Sequence, residues 1–95
     1  MRIRLTLRAG VDLEAIARHV AAESPRAAVE VVAAIRATLE ALGDFPDLGH
    51  PTYPQGRRVM TVPRLPYRVF YRVSGDEIVV LHIRHTSRQP SRTFR

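Results

Sequence analysis

The residues best equipped for chemistry crowd the segment from Tyr67 to Pro90: Arg68, Arg72, His82, Arg84, His85 and Arg88. A guanidinium binds phosphate or carboxylate through a fixed fork of donors. An imidazole titrates near neutrality and can give or take a proton. Arg68, Arg84 and His85 together could hold and cleave a phosphodiester without a metal. The same groups could equally dock an acidic partner. Other chemistries are poorly supplied. There is no Cys, so thiolate nucleophiles, disulfides and thiolate metal sites are excluded. Ser24, Ser74, Ser87 and Ser91 lack Ser-His-acid framing, and Ser24 reads better as a helix cap. His82 and His85, three apart, point to opposite faces of a strand, which argues against a shared metal. No Gly-rich phosphate loop is present, and no metal or cofactor is expected.

The charge follows the same geography. The net charge is +6 and all 15 basic residues are Arg. Residues 1–50 carry six Arg against seven acids, and residues 51–95 carry nine Arg against two. A positive field confined to one half favours a nucleic acid or an acidic protein as partner. Ninety-five residues with 45% apolar content make a single packed domain, 1–95. No apolar run approaches the length of a membrane helix, and the N-terminus lacks a signal-peptide core. A cytoplasmic protein without membrane contact is expected.

The elements that must position these groups can be read from periodicity. Residues 2–8, "RIRLTLR", alternate as a half-buried strand ending at Gly10. Residues 11–23 carry a helical stripe of Leu13, Ile16, Ala17 and Val20, with Asp12 and Glu14 near the positive end of the dipole. Ser24 and Pro25 read as N-cap and first residue of a second helix. It runs to about Leu42, with Gly43 as the residue that ends it. The short connection makes the two helices an antiparallel hairpin. Residues 44–56 form an ordered loop, with Phe45 and Leu48 tucked beneath the helices. Residues 57–64 read as a strand, and 66–74 and 77–85 as a hairpin around Gly75. The tail, 86–95, is expected to be loose without a partner. The fold class is α+β, in the order β-α-α-β-β-β, with a helical hairpin on a mostly antiparallel sheet.

Turn length decides which face the arginines occupy. A three-residue loop, Ser74-Gly75-Asp76, would pair Phe70 with Val80 and Arg68 with His82. It would place Val69, Tyr71, Val73, Val79, Leu81 and Ile83 on an apolar face, and Arg68, Arg72, His82 and Arg84 on the other. A two-residue loop would slip the second strand and mix charge into apolar surface, which is costly. The three-residue loop is therefore the expected one, with Phe70 and Val80 amid the basic residues.

The motifs "SPRAA" at 24–28, "LGDFPDLGHP" at 42–51 and "YRVFYRVSGDEIVVLHIRHTSRQP" at 67–90 resemble the RelE/ParE superfamily of bacterial toxin–antitoxin toxins. The long Pro-started helix resembles its ParE branch. That resemblance implies a toxin that inhibits DNA gyrase and is silenced by a ParD-like antitoxin with an acidic C-terminal segment. The antitoxin would meet the helical hairpin at Leu13, Ile16 and Val20. The target would meet a basic face of Arg68, Arg72, His82, Arg84 and Arg88. The RelE branch implies a different outcome, ribosome-dependent mRNA cleavage by Arg68, Arg84 and His85. That branch also uses Lys or a late Tyr. This chain has no Lys, and Thr86 and Ser87 follow His85.

Overall fold

The computed structural model describes residues 1–87; Arg88 and the rest of the tail lie outside the described residues. The elements run β1 (Arg2–Leu5), α1 (Leu7–Ala21), α2 (Pro25–Asp44), β2 (His50–Thr52), β3 (Arg57–Thr61), β4 (Tyr67–Ser74) and β5 (Glu77–His85). They build one five-stranded sheet of order β1-β5-β4-β3-β2. β1 lies parallel to β5 and every other pair is antiparallel. The helical hairpin covers one face. Its side chains Ala9, Leu13, Ile35, Leu39 and Leu42 meet Tyr67, Val69, Tyr71, Ile78, Val80 and Ile83 from the sheet.

Local chemistry shortens the first strand. Alternation continues to Arg8, but Thr6 caps a helix instead: its Oγ1 accepts from the Ala9 N–H at 3.1 Å. Gly10 therefore sits inside α1 rather than ending β1. Ser24 behaves as expected, its Oγ accepting from the Ala27 N–H at 3.1 Å with Pro25 opening α2. Gly43 does not end α2. It is buried within the last turn, where an added Cβ would lie 3.0 Å from the Met1 carbonyl oxygen. There the N-terminal ammonium donates to the Gly43 carbonyl at 3.0 Å.

The loop after α2 is held by the sheet, not by its own apolar residues. Phe45 and Leu48 are 64% and 45% exposed, so neither tucks beneath the helices. The buried Tyr71 hydroxyl donates to the Pro46 carbonyl at 2.7 Å and accepts from the Gly49 N–H at 3.0 Å. Arg58 adds its Nη2 to the Gly49 carbonyl at 2.8 Å and to the Asp47 carbonyl at 3.3 Å. Gly49 is obligatory, because a Cβ there would lie 2.7 Å from both the Tyr71 hydroxyl and the Val59 carbonyl. Thus pinned, the chain leaves the loop as an additional strand, β2, within a segment expected to be loop. Its period is hidden by Pro51, which an edge strand tolerates.

Burial outweighs ion pairing in this fold. A fully buried aliphatic side chain contributes about 1.5–3 kcal/mol, and Ile35, Leu42, Val69 and Ile78 are completely enclosed. The ion pairs among the described residues join partly or largely exposed groups, where each contributes at most about 1 kcal/mol. Replacing Tyr71 with Phe leaves the Gly49 N–H without its buried acceptor. Tyr71→Phe is expected to lower unfolding free energy by about 1–3 kcal/mol, read from the urea midpoint at constant m-value.

Candidate target-binding face

The β4–β5 hairpin closes with two residues, not three. Ser74 pairs with Glu77, and Gly75, at φ +60, opens the turn. Such a turn suits Gly at its first central position. This is the slip that would drive the arginines into the core. A bulge prevents it. Tyr71 pairs with Val80 but Phe70 pairs with His82, so Leu81 is the extra residue. Beyond the bulge, Arg68 lies opposite Arg84 rather than His82, and Val69 opposite Ile83. The basic set still shares one face, by a different route from the expected one. Val80, expected on the outer face, joins the core, and Val79, expected in the core, takes the outer position. Val79 is only 1% exposed, because its cross-strand neighbours are Arg4 and Arg72, whose stems can cover it.

The bulge is supported from the helical side. β1 ends at Leu5, opposite Val80, and β5 runs on paired with β4 on one edge and, among the described residues, with no strand on the other. Thr6 Oγ1 donates to the Leu81 carbonyl at 2.9 Å, and the Ile83 N–H donates to Asp12 Oδ2 at 3.0 Å. The other Asp12 oxygen pairs with Arg8 at 3.2 Å. Asp12 thus serves strand β5, not the helix dipole.

The outer face can now be assembled from the register. Thr61, Arg68 and Arg84 form one row, and Val59, Phe70 and His82 the next. Arg72 and Val79 lie nearer the turn. Arg57, on the opposite side of β3 from Arg58, joins this face. Neighbouring arginines in "RRVMT" therefore do opposite jobs, and only strand parity separates them. Arg68 and Arg72 stand four residues apart, about 13 Å along the strand. Arg57, Arg68, Arg72 and Arg84 have no carboxylate within ion-pair distance among the described residues, whereas Arg2 and Arg4 pair with Glu77.

The two histidines of the segment are already engaged. The His82 ring stacks on Phe70 with centroids 4.5 Å apart and planes 14° from parallel. Its Nδ1 accepts from Arg84 Nε at 3.1 Å. Burial first, then the charges of Arg84, Arg8 and Arg57, hold its pKa below the usual 6.5, against an opposing pull from Asp12. His85 lies on the other side of the strand, edge-on to Tyr67. Its Nδ1 accepts from the Ser87 N–H at 3.1 Å. In the neutral state each ring therefore carries its proton on Nε2, a tautomer assigned from these bonds. Arg68, Arg72, His82 and Arg84 come together on one face. His85 is separated from them, and Arg88 lies outside the described residues. Among those residues no group of three or more His, Asp or Glu is placed to hold a metal.

On the helices, Leu13 is buried in the core, while Ile16 and Val20 are half-buried. Among the described residues no helix is long and apolar enough to cross a membrane.

Comparison with known proteins fits this architecture. The profile of the ParE toxin of the type II toxin–antitoxin system parDE matches residues 3–90. The chain belongs to the ParE toxin family. Y4kP of Sinorhizobium fredii, a protein named as a toxin, is 35% identical over 88 residues, covering 93% of this chain and 91% of the relative. The chromosomal ParDE system of P. aeruginosa contains a chain that superposes with a TM-score of 0.83 at 31% identity, covering 92% of this chain and 97% of that one. The RelBE2 toxin–antitoxin complex of Mycobacterium tuberculosis shares the fold, at a TM-score of 0.65 and 24% identity over 88% of this chain and 95% of that one. This ParE-family chain is thus a type II toxin by family, with Arg57, Arg68, Arg72 and Arg84 displayed on the sheet face opposite the helices.

The lowered pKa of His82 has a stability consequence. Between its folded pKa and 6.5 the unfolded chain holds a proton that the folded chain does not. Stability is unaffected well above pH 6.5 and falls as pH drops below it toward the folded pKa. His82→Phe keeps the ring stack and is expected to flatten this part of the profile, measured as urea midpoints between pH 7.5 and 5. An NMR titration of Arg84→Ala should move the His82 pKa upward.

Proposed function

We propose that this ParE-family toxin acts by binding rather than by cleavage, docking its basic outer face on DNA gyrase and being neutralised by a cognate ParD-like antitoxin with an acidic segment. One observation carries the choice. Both histidines of the basic segment accept a hydrogen bond at Nδ1, from Arg84 in one case and from the Ser87 N–H in the other. Each neutral ring then offers an N–H, not a lone pair, at Nε2. A general base needs that lone pair within reach of the attacking hydroxyl. Arg68 and Arg84 could still grip a phosphate or a carboxylate, which a binding face requires and which mRNA cleavage by Arg68, Arg84 and His85 would not complete.

The antitoxin part of the reading is supported by family membership and by the ParDE and RelBE2 neighbours, which are toxin–antitoxin systems. Of the helical residues expected at that contact, Ile16 and Val20 retain exposed surface. Leu13 is occupied by the core.

Purified toxin should inhibit gyrase supercoiling and leave ribosome-bound mRNA intact. Arg68→Ala with Arg72→Ala should weaken the inhibition about tenfold or more, since two desolvated charged contacts are lost, with little change in thermal midpoint. Clean mRNA cleavage without an effect on gyrase would sink this reading in favour of the ribonuclease.

A further inference from the structure

The sheet ends in two short strands, β2 and β1. β2 carries Pro51, which lacks a backbone donor and so blunts its edge. β1 reads Arg-Ile-Arg-Leu and has no such guard. Its open side follows from its bonds to β5. The Arg2 N–H donates to the Asp76 carbonyl at 3.1 Å and the Thr6 N–H to the Val80 carbonyl at 3.0 Å. The N–H and C=O of one residue point to the same side of a strand, and successive residues alternate. The N–H and C=O groups of Ile3 and Leu5 therefore point outward, where no strand lies among the described residues. Groups left open in this way are a template for another strand.

Charged side chains commonly block such an edge. Here Arg2 and Arg4 are drawn back over β5, onto Glu77 at 3.4 and 3.3 Å. On the helical side a groove of about 290 Å³ runs between β1 and α2, lined by Ile3, Leu5, Arg36, Leu39 and Glu40. Arg36 and Glu40 are exposed on neighbouring turns of α2, and neither has an ion-pair partner among the described residues. The charge of this edge is balanced. Arg2, Arg4 and Arg36 stand against Glu40, Asp76 and Glu77, the last two being the only acids of residues 51–95. A strongly acidic segment or a nucleic acid therefore meets no net attraction here. An open strand edge, an apolar groove and one free charge of each sign are matched by the same surface turned through a two-fold axis.

We propose that β1 is a self-association edge, on which a second copy of the chain docks antiparallel. With Ile3 of one copy opposite Leu5 of the other, each such pair exchanges two hydrogen bonds, and the paired apolar side chains meet at the groove. Arg36 of each copy then faces Glu40 of the other. A two-fold axis perpendicular to the sheet joins the two five-stranded sheets into one. Both helical hairpins lie on one side of it, and both sets of Arg68, Arg72 and Arg84 lie on the other. Two basic faces held side by side would bind a target with two acceptor sites more tightly than either alone. The contact itself is independent of what that face binds.

The test follows the full-length toxin alone by sedimentation velocity and hydrogen exchange. Wild type should dimerise at about 100 µM or below, as suits a small interface, with protection of the Ile3 and Leu5 amides that grows with concentration. Arg36→Glu and Glu40→Arg each set like charges against one another across the axis, and each should weaken the dimer about tenfold or more. An equimolar mixture of the two variants restores opposite pairs and should dimerise like wild type, which a merely structural defect would not do. Both positions are exposed, so circular dichroism and thermal midpoint should be retained. Should either variant misfold, Arg36→Gln combined with Glu40→Gln serves in their place and should weaken the dimer several-fold. A wild type that stays monomeric at that concentration overturns the assignment. So does a dimer indifferent to these substitutions, a mixture no tighter than its separate components, or a dimer whose Ile3 and Leu5 amides exchange as in the monomer.

Discussion

One extra residue in β5 governs the layout of the whole sheet. A strand has two faces, and a shift of one residue exchanges them. The two-residue turn at Gly75-Asp76 would send Arg84 and His82 toward the helices, and Leu81 absorbs that shift. On one side of the bulge the core takes Ile78 and Val80, and on the other it takes Ile83. The bulge lies where β1 ends and where Thr6 and Asp12 reach across from α1. The helix start, the strand end and the bulge are therefore one construction. A bulge beside a functional surface is a common device for re-aiming side chains.

Much of this is legible in the amino-acid sequence. Helical stripes, the Ser24 cap and the position of Gly75 follow from rules that act within a few residues. The basic face was also legible, although its actual geometry rests on two departures, a shorter turn and a bulge, that cancel in parity. Neither departure has a local signature in "VSGDEIVVLHIRH". Val79 and Val80 are alike in size and propensity, and only pairing with β1 and β4 decides which one enters the core. The same limit applies to Thr6, Gly43 and Asp12. Each reads locally as strand, helix end and dipole partner, and each is reassigned by a contact with a distant segment. Arg57 was missed for a related reason, because nothing in "RR" shows which arginine turns outward.

The arginines divide into distinct physical roles. Arg58 bonds loop carbonyls beneath the sheet edge, and Arg2 and Arg4 are matched by Glu77. Arg57, Arg68, Arg72 and Arg84 remain without such matches among the described residues. Between them, His82 is held neutral against Phe70. The face is therefore patterned as separate cations around an aromatic patch rather than as a uniform positive field. Net charge alone conceals that pattern, since the same total could be spread over any surface.

The sheet is completed by its two most distant strands. Arg2 lies beside Glu77 and Leu5 beside Val80, so among the described residues β1 has its strand partner only in β5, the last strand of that set. Pairing so far apart in sequence closes late, because the entropy of the intervening loop must be overcome before the contact rewards it. On a ribosome, where the N-terminal part emerges first, β1 waits through both helices and three strands of synthesis. The outer face needs β5 for Arg84 and His82. The basic face is therefore absent from a nascent chain until synthesis has passed β5 and the sheet has closed around it.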